Sequence, residues 1–357
     1  MADAPPEKIQ ALVADGKGGA SVQTVPLPKL KEGEILVKVD YVALNPTDWK
    51  HIVYASPEGA ISGCDFAGTV VAASPSSRDH VKVGQRVAGD VYGGKFPDKG
   101  SFAQYLVTEP SMCWRVPENV KSDQAASYGV PLFTAFQALQ HSQKQPWPPV
   151  RQHPDTPEWI VIYGGSSGVG MQAVQLAKAL GYNVAATASK HNFDLVKKYG
   201  ADEVFDYHDG DKAIEGIKKV TGGGVTRAMD CISLADTATF TAKCFKEQGG
   251  QANFLLAIPQ EVQAKFPNIK FVTTMLYGAY GIPYSMGPRD GKQIHVPADP
   301  GLRKWFEELQ AKTPGYIEEG LFKPPPFKVR NGLENISAGL KEMQDGKVSG
   351  ERLVYKI

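Results

Sequence analysis

The stretch Trp159-Ile160-Val161-Ile162-Tyr163-Gly164-Gly165-Ser166-Ser167-Gly168-Val169-Gly170 decides the fold. Its five leading apolar residues read as a strand buried on both faces, as in a parallel sheet. The glycine-rich turn runs straight into Val169 to Leu180, where Ala173, Val174, Leu176, Ala177 and Leu180 recur at helical spacing, and Gly181 closes that helix. Glycines in such a turn let the backbone approach a pyrophosphate, whose charge is stabilised by free N–H groups and the positive end of the helix. The spacing is G-x-x-G-x-G rather than G-x-G-x-x-G, so the pattern alone is weak, and a turn that only packs a helix onto a strand is the competing reading. The order strand, loop, helix, second strand favours a phosphate loop, with Ser166, Ser167, Gly168 and Val169 as its contacts.

Downstream the alternation continues. Asn183 to Ala188 reads as a strand, Phe193 to Tyr199 as a helix stopped by Gly200, and Glu203 to Asp206 as a strand; Ala228 to Ile232 and Gln251 to Leu256 flank a further helical stretch. This is the rhythm of a parallel sheet with crossover helices. An NAD site usually places Asp or Glu at the end of the second strand, where it accepts from the ribose hydroxyls. Here the chain reads Thr187-Ala188-Ser189-Lys190-His191-Asn192. A cation and hydroxyl donors in place of a carboxylate suit a 2′-phosphate, which predicts NADPH rather than NADH. Ser189 or Asn192 could equally cap the Phe193 helix, with Lys190 simply solvated. Tyr207, after the third strand, is placed near the adenosine end or in packing.

Upstream, five prolines between Gln145 and Pro157 mark a surface connection. Before it, Ile35, Val37, Val39 and Tyr41 alternate with Leu36, Lys38 and Asp40 at the period of a half-buried strand. Further strands are expected at Gly68 to Ala73, Gln85 to Val91, Ala103 to Val107 and Cys113 to Val116, with almost no helix between them, as in a β-barrel. Near the end, a helix is expected at Asn335 to Gln344 and a strand at Arg352 to Ile357 that returns to the first domain. The expected division is a catalytic domain at 1–128 and 287–357 around a dinucleotide domain at 129–286.

Length and composition agree with two globular domains: 357 residues, 42% hydrophobic and 22% charged. With 39 Lys plus Arg against 38 Asp plus Glu there is no net field for nucleic acid or an anionic membrane. Met1 to Gln10 has no apolar core of a signal peptide and no stretch approaches a membrane span, so a cytoplasmic protein is expected. Cys64, Cys113, Cys231 and Cys244 lie far apart, which suits four reduced thiols rather than a metal knuckle or a disulfide framework.

With these residues in view, the chain resembles the medium-chain dehydrogenase/reductase superfamily. The supporting segments are Ala43-Leu44-Asn45-Pro46-Thr47-Asp48, Gly63-Cys64-Asp65-Phe66-Ala67-Gly68-Thr69-Val70, Gly84-Gln85-Arg86-Val87 and the phosphate loop. More narrowly, Asn45 to Lys50, Ser189 to Asp194, Phe205-Asp206-Tyr207 and Gly346 to Glu351 are similar to the fungal trans-acting enoyl reductases of polyketide synthases, of the lovastatin-pathway type. The resemblance implies an α/β protein with a GroES-like β-barrel catalytic domain and a Rossmann doubly wound parallel-sheet domain. Zinc alcohol dehydrogenases of the superfamily carry a cysteine where this chain has Asn45-Pro46 and Gly-His-Glu where it has Gly63-Cys64-Asp65. The ligand set for zinc is therefore missing, no metal is expected, and Asp65 is expected to hold a turn.

Without residues for a Lewis acid, conjugate reduction is favoured over alcohol oxidation. A hydride goes to the β-carbon of an α,β-unsaturated carbonyl, and the developing enolate needs hydrogen-bond donors and a proton at the α-carbon. The resemblance implies Lys50 and Thr134 as catalytic residues, Thr47 and Asp48 at the nicotinamide ribose, Trp49 and Lys50 among the cofactor contacts, and Leu255, Leu256, Ser349 and Gly350 at the nicotinamide. Pro131, Phe133, Thr134 and Ala135, with Gly278 and Tyr280 of a flexible aromatic loop, are the expected substrate contacts. Lys50 could instead be a solvated lysine and Thr134 a packing threonine. No histidine or tyrosine stands out as proton donor, and water could serve. The expected activity is an NADPH-dependent trans-acting enoyl reductase working on a thioester held by the acyl carrier domain of a polyketide synthase, as a monomer. A quinone or enone reductase and a non-catalytic dinucleotide-binding scaffold are the alternatives.

Overall fold

Strand Ile35–Ala43 organises the first of two units in the computed structural model, which describes residues 4–150, 158–286 and 294–357. The strand pairs with Asp65–Ala73 on one edge and with Arg352–Lys356 and Tyr105–Thr108 on the other. The sheet continues outward through Arg86–Asp90 to Cys113–Arg115, and through Arg352–Lys356 to Phe327–Asn331. Strict alternation does not hold in Ile35–Ala43: Leu36 is buried along with Ile35, Val37 and Val39. Register shifts at Leu36/Val37 and Val39/Tyr41 interrupt the regular pairing with Asp65–Ala73, and the half-buried expectation fails at Leu36. The barrel core gathers Val37, Val39, Phe66, Val70, Val87, Leu106 and Leu353.

Besides the expected strands this unit holds a hairpin and the helices Pro46–Tyr54 and Pro300–Glu318, the helices against the expectation of a nearly helix-free barrel. Lys8–Ala14 and Ala20–Pro26 form a hairpin whose turn is closed by the Asp15 carboxylate, which accepts from the N–H groups of Lys17 and Gly19 at 2.7 and 2.9 Å. Pro46–Tyr54 is helical, with proline at the first position, where no N–H is needed. Pro300–Glu318 is a long helix that carries Pro314 within it and buries Trp305, Phe306, Leu309 and Thr313.

The second unit is a six-stranded parallel sheet in the order Glu203–Asp206, Asn183–Ala188, Trp159–Tyr163, Arg227–Asp230, Gly250–Phe254, Ile269–Thr273. That order is the doubly wound one, with its switch point between Trp159–Tyr163 and Arg227–Asp230, outside whose carboxyl ends ligands bind. The units comprise Met1–Val130, Tyr277–Gly320 and Pro326–Ile357, and Pro131–Leu276 with Leu321–Pro325. The chain thus re-enters the first unit at Tyr277, and position 287, the expected boundary, lies outside the described residues. The proline-rich connector falls partly on 151–157, also outside them. Residues 321–325 clasp the second unit. The Lys323 carbonyl accepts from the amides of Gln172 and Gln175, its N–H donates to Gln175 Oε1 at 2.7 Å, and Phe322 packs on Phe136 at 5.3 Å between ring centroids. Among the described residues no helix is long and apolar enough to cross a membrane.

Candidate active site

At the carboxyl end of Trp159–Tyr163 the chain turns at Gly164, where φ is +76°, a conformation open to glycine. A side chain at Gly170 would place Cβ 2.1 Å from the Gly164 carbonyl oxygen, so only glycine lets helix Gly168–Ala179 start this close to the turn. Ser167 caps that helix: its Oγ accepts from the Gly170 N–H at 3.0 Å and donates to the Gly164 carbonyl at 2.8 Å. Gly164 and Gly165 N–H are engaged by Thr187. Among the described residues none accepts from the N–H groups of Ser166, Gly168 or Val169. Three unspent donors at a helix N-terminus fit a dinucleotide pyrophosphate.

The second strand ends at Ala188, and a short turn, Lys190–Asn192, follows. Lys190 and His191 are exposed, Asn192 is buried, and Ser189 Oγ donates to the Tyr207 hydroxyl at 3.1 Å. Tyr207 stacks on His208 at 4.1 Å. Asp206, the register partner of Ala188 on the neighbouring strand, is engaged by His208 at 2.6 Å, and its pKa is lowered by the His208 backbone and side-chain hydrogen bonds. Leu255 and Leu256 directly follow strand Gly250–Phe254, and Leu256 is exposed.

Also in this unit, helix Gly129–Phe136 carries the Pro131 to Ala135 segment and passes into a π-helical stretch, Gln137–Ser142. The Thr134 hydroxyl has no hydrogen-bond partner among the described residues. Phe133 and Ala135, expected at the substrate, are fully buried, and Thr134 between them is itself only 7% exposed; each step along a helix turns the side chain by about 100°, so the three point in different directions. Pro131 is likewise buried.

In the first unit, helix Pro46–Tyr54 presents Thr47, Trp49 and Lys50 at intermediate exposure. Asp48 does not join them. It is 2% exposed, and its Oδ2 accepts from the Asn45 N–H at 2.7 Å, so the acid expected at the ribose braces the first turn of its own helix. Burial, with the Asp65 charge adding to it, pushes Asp48 up to about 7. Lys50 has no carboxylate partner among the described residues; burial lowers its pKa, and Nζ lies 5.7 Å from the Trp49 ring centre. Ser349 and Gly350 occupy the turn before strand Arg352–Lys356.

Asp65 holds more than a turn. Its carboxylate accepts from the Val130 N–H at 2.7 Å, from Asn45 Nδ2 at 2.9 Å and from Arg352 Nη2 at 2.7 Å, and Arg352 also reaches the carbonyls of Leu44 and Ser127. Beside it the Cys64 thiol is 1% exposed and burial pushes its pKa well up, so it is held as the thiol. Among the described residues no group of three or more His, Cys, Asp or Glu has the arrangement to hold a metal ion. A paired carboxylate and a protonated thiol do not fit zinc.

Residues Leu276–Tyr280, expected as a flexible loop, form a tight helical turn in which Leu276, Gly278, Ala279 and Tyr280 are buried. Tyr280 donates its hydroxyl to the buried Asp90 carboxylate, and a side chain on Gly278 would meet Leu302 at 2.9 Å. Aromatic stacking stiffens the segment: Tyr92 lies 4.4 Å from Tyr277 and 5.7 Å from Tyr280. Tyr277, within the stretch expected as a loop over the acyl pocket, shares a hydrogen bond with the Thr47 hydroxyl. The aromatic content of the segment pointed to it; the partner 230 positions away did not.

A barrel unit and a doubly wound unit with a glycine-rich phosphate loop define a medium-chain dehydrogenase/reductase. Residues 31–118 match the alcohol dehydrogenase GroES-like domain family, and residues 168–279 match the family described as zinc-binding dehydrogenase. The trans-enoyl reductase resD of Aspergillus sclerotiorum is 34% identical over 98% of this chain and 100% of its own. The trans-enoyl reductase ACTTS2 of Alternaria alternata is 36% identical over 98% of each chain. Among solved structures, CurK enoyl reductase has the same fold, with a TM-score of 0.78 at 20% identity over 98% of this chain and 99% of that one. The chain belongs to the trans-enoyl reductase family, and it is an oxidoreductase acting on carbon–carbon double bonds that uses a nicotinamide cofactor.

Proposed function

We propose that this protein passes a hydride from NADPH to the β-carbon of an α,β-unsaturated thioester presented on the acyl carrier domain of a polyketide synthase. The observation that carries the reading is the full-length match to trans-enoyl reductases. When bound, the dinucleotide supplies the hydride. The N–H groups of Ser166, Gly168 and Val169, with the Ser167 cap, take the pyrophosphate, and Ser189, Lys190, His191 and Asn192 take the 2′-phosphate with Tyr207 at the adenosine. NADPH over NADH is supported by the absence of an acid from residues 189–192 and by the cation of Lys190 among them, with Asp206 of the neighbouring strand engaged by His208.

Thr47, its hydroxyl oriented by Tyr277, is assigned to the nicotinamide ribose, with Trp49 beside it; Leu255–Leu256 and Ser349–Gly350 are assigned to the ring. Lys50 and Thr134 donate to the thioester oxygen as negative charge gathers there, which lowers the barrier because such donors count most for the charge that develops. That neither side chain has a hydrogen-bond partner among the described residues supports this role. Tyr280 and Gly278 wall the acyl group rather than bond to it, since the Tyr280 hydroxyl is spent on Asp90. A reducing, cytoplasmic setting belongs to the same reading, and four buried, unbridged cysteines support it.

The test follows NADPH oxidation with a short enoyl thioester, with a quinone and with neither, in the presence and absence of the synthase. Thioester-dependent oxidation is expected, faster on the carrier-bound substrate; oxidation by the quinone alone overturns the proposal.

A further inference from the structure

Among the described residues only Lys144 and Ser233 adopt positive φ without being glycine, and Ser233, at +65°, is 3% exposed. A side chain other than glycine is disfavoured in this region of backbone space, so one that persists there inside a packed site points to a use for its side chain. Ser233 engages both its N–H and its hydroxyl. Its N–H donates to Asp230 Oδ1 at 2.8 Å, its Oγ donates to the Asp230 carbonyl at 2.8 Å, and the same Oγ accepts from the Leu255 N–H at 2.7 Å. Asp230 is fully buried at the end of the strand next to the switch point; it also accepts from the Ile232 N–H at 2.9 Å and the Thr237 hydroxyl at 2.7 Å.

The hydroxyl therefore joins two neighbouring strand ends, and the direct bond it makes is to the residue just before Leu256. The tight turn also turns two apolar side chains outward. Ile232 is 39% and Leu234 53% exposed, with Leu256 at 36%. Ile232 lies against the phosphate loop, so close that a Cβ on Gly164 would come within 2.9 Å of it. Exposed branched apolar side chains at the carboxyl edge of a doubly wound sheet have no core to serve and form a platform for a flat, weakly polar ring.

We propose that Ser233, held by Asp230, is a positioning residue for hydride transfer: it latches the Cys231–Leu234 turn to Leu255 and so sets the backbone and apolar platform on which the nicotinamide rests. This rests on the cofactor reading given above. Serine is used where glycine would be relaxed because glycine has no oxygen with which to receive the Leu255 N–H.

The experiment compares wild type with Ser233→Gly and Ser233→Ala by NADPH fluorescence titration, by single-turnover hydride transfer from 4-deuterated NADPH, and by melting temperature. Ser233→Gly relieves the backbone and deletes the bond, two opposed effects on stability, so its melting temperature stays near that of wild type. Hydride transfer is expected to fall about tenfold to a hundredfold, with a smaller change in NADPH affinity, because a ring that binds but sits askew reacts slowly. Ser233→Ala loses the same rate and melts lower; if it fails to fold, the glycine variant decides. Wild-type hydride transfer in Ser233→Gly overturns the latch while leaving the cofactor reading intact. A wild-type protein that binds no dinucleotide overturns both.

Discussion

Burial changes what a carboxylate does, and Asp48 is the case in this protein. In the unfolded chain its pKa is close to 3.8; in the fold, loss of water pushes it up to about 7. Between those two values the native state keeps a proton that the unfolded state has released, so this group makes stability fall as pH rises through that window and level off above it. Asp48→Asn is expected to flatten that part of the curve when urea midpoints are measured from about pH 4 to about pH 8; a slope parallel to wild type contradicts the assignment. Lys50 and Lys190 separate chemistry from binding. Lys50→Ala should lower turnover about a hundredfold while NADPH affinity changes little, as for loss of one donor at a developing oxyanion. Lys190→Ala should weaken NADPH about tenfold and leave NADH unchanged, the loss of one charge-assisted bond. Steady-state kinetics with both cofactors decide both.

At the scale of elements, strand Arg352–Lys356 is bound to the start of strand Asp65–Ala73 by a buried ion pair between Arg352 and Asp65, 4% and 0% exposed. Arg352→Met strands the carboxylate and should cost about 3–5 kcal/mol, read as a lowered denaturation midpoint. Adding Asp65→Asn should return part of that loss, because the orphaned charge goes with it; an additive double variant refutes the pairing. The elements themselves differ in how far they were legible. Trp159–Tyr163, Asn183–Ala188 and Glu203–Asp206 were readable to the residue because apolar runs and glycine stops are local signals. Pro300–Glu318 was not, since Pro314 reads as a stop and only tertiary packing carries the helix past it. The loop at Ser166–Val169 was legible from its glycines, whereas Tyr277 on Thr47, Ser233 on Leu255 and Arg352 on Asp65 were not. A periodic pattern tells which face is buried and leaves open which distant residue meets it.

For the whole molecule, the chain passes between the two units after Val130, Leu276, Gly320 and Pro325. The last two passages enclose the clasp, in which Phe322 is 1% exposed and packs on Phe136 of the doubly wound unit. Phe322→Ala should cost about 3–5 kcal/mol as a buried aromatic truncation. Amide hydrogen exchange should then quicken first within residues 131–276, around helix Gly168–Ala179, whose Gln172 and Gln175 share the Lys323 carbonyl. Exchange that quickens equally everywhere speaks against a clasp specific to that unit.

That clasp also bears on how the protein is born. A ribosome emits residues in order, and helix Gly168–Ala179 leaves it long before Lys323 does. Until then the amides of Gln172 and Gln175 lack the Lys323 carbonyl they share, and the barrel waits longer still, for Arg352. Neither half can finish while the peptide is being made, so a prematurely terminated product lacking the final few dozen residues yields two incomplete cores rather than one sound domain and one broken one.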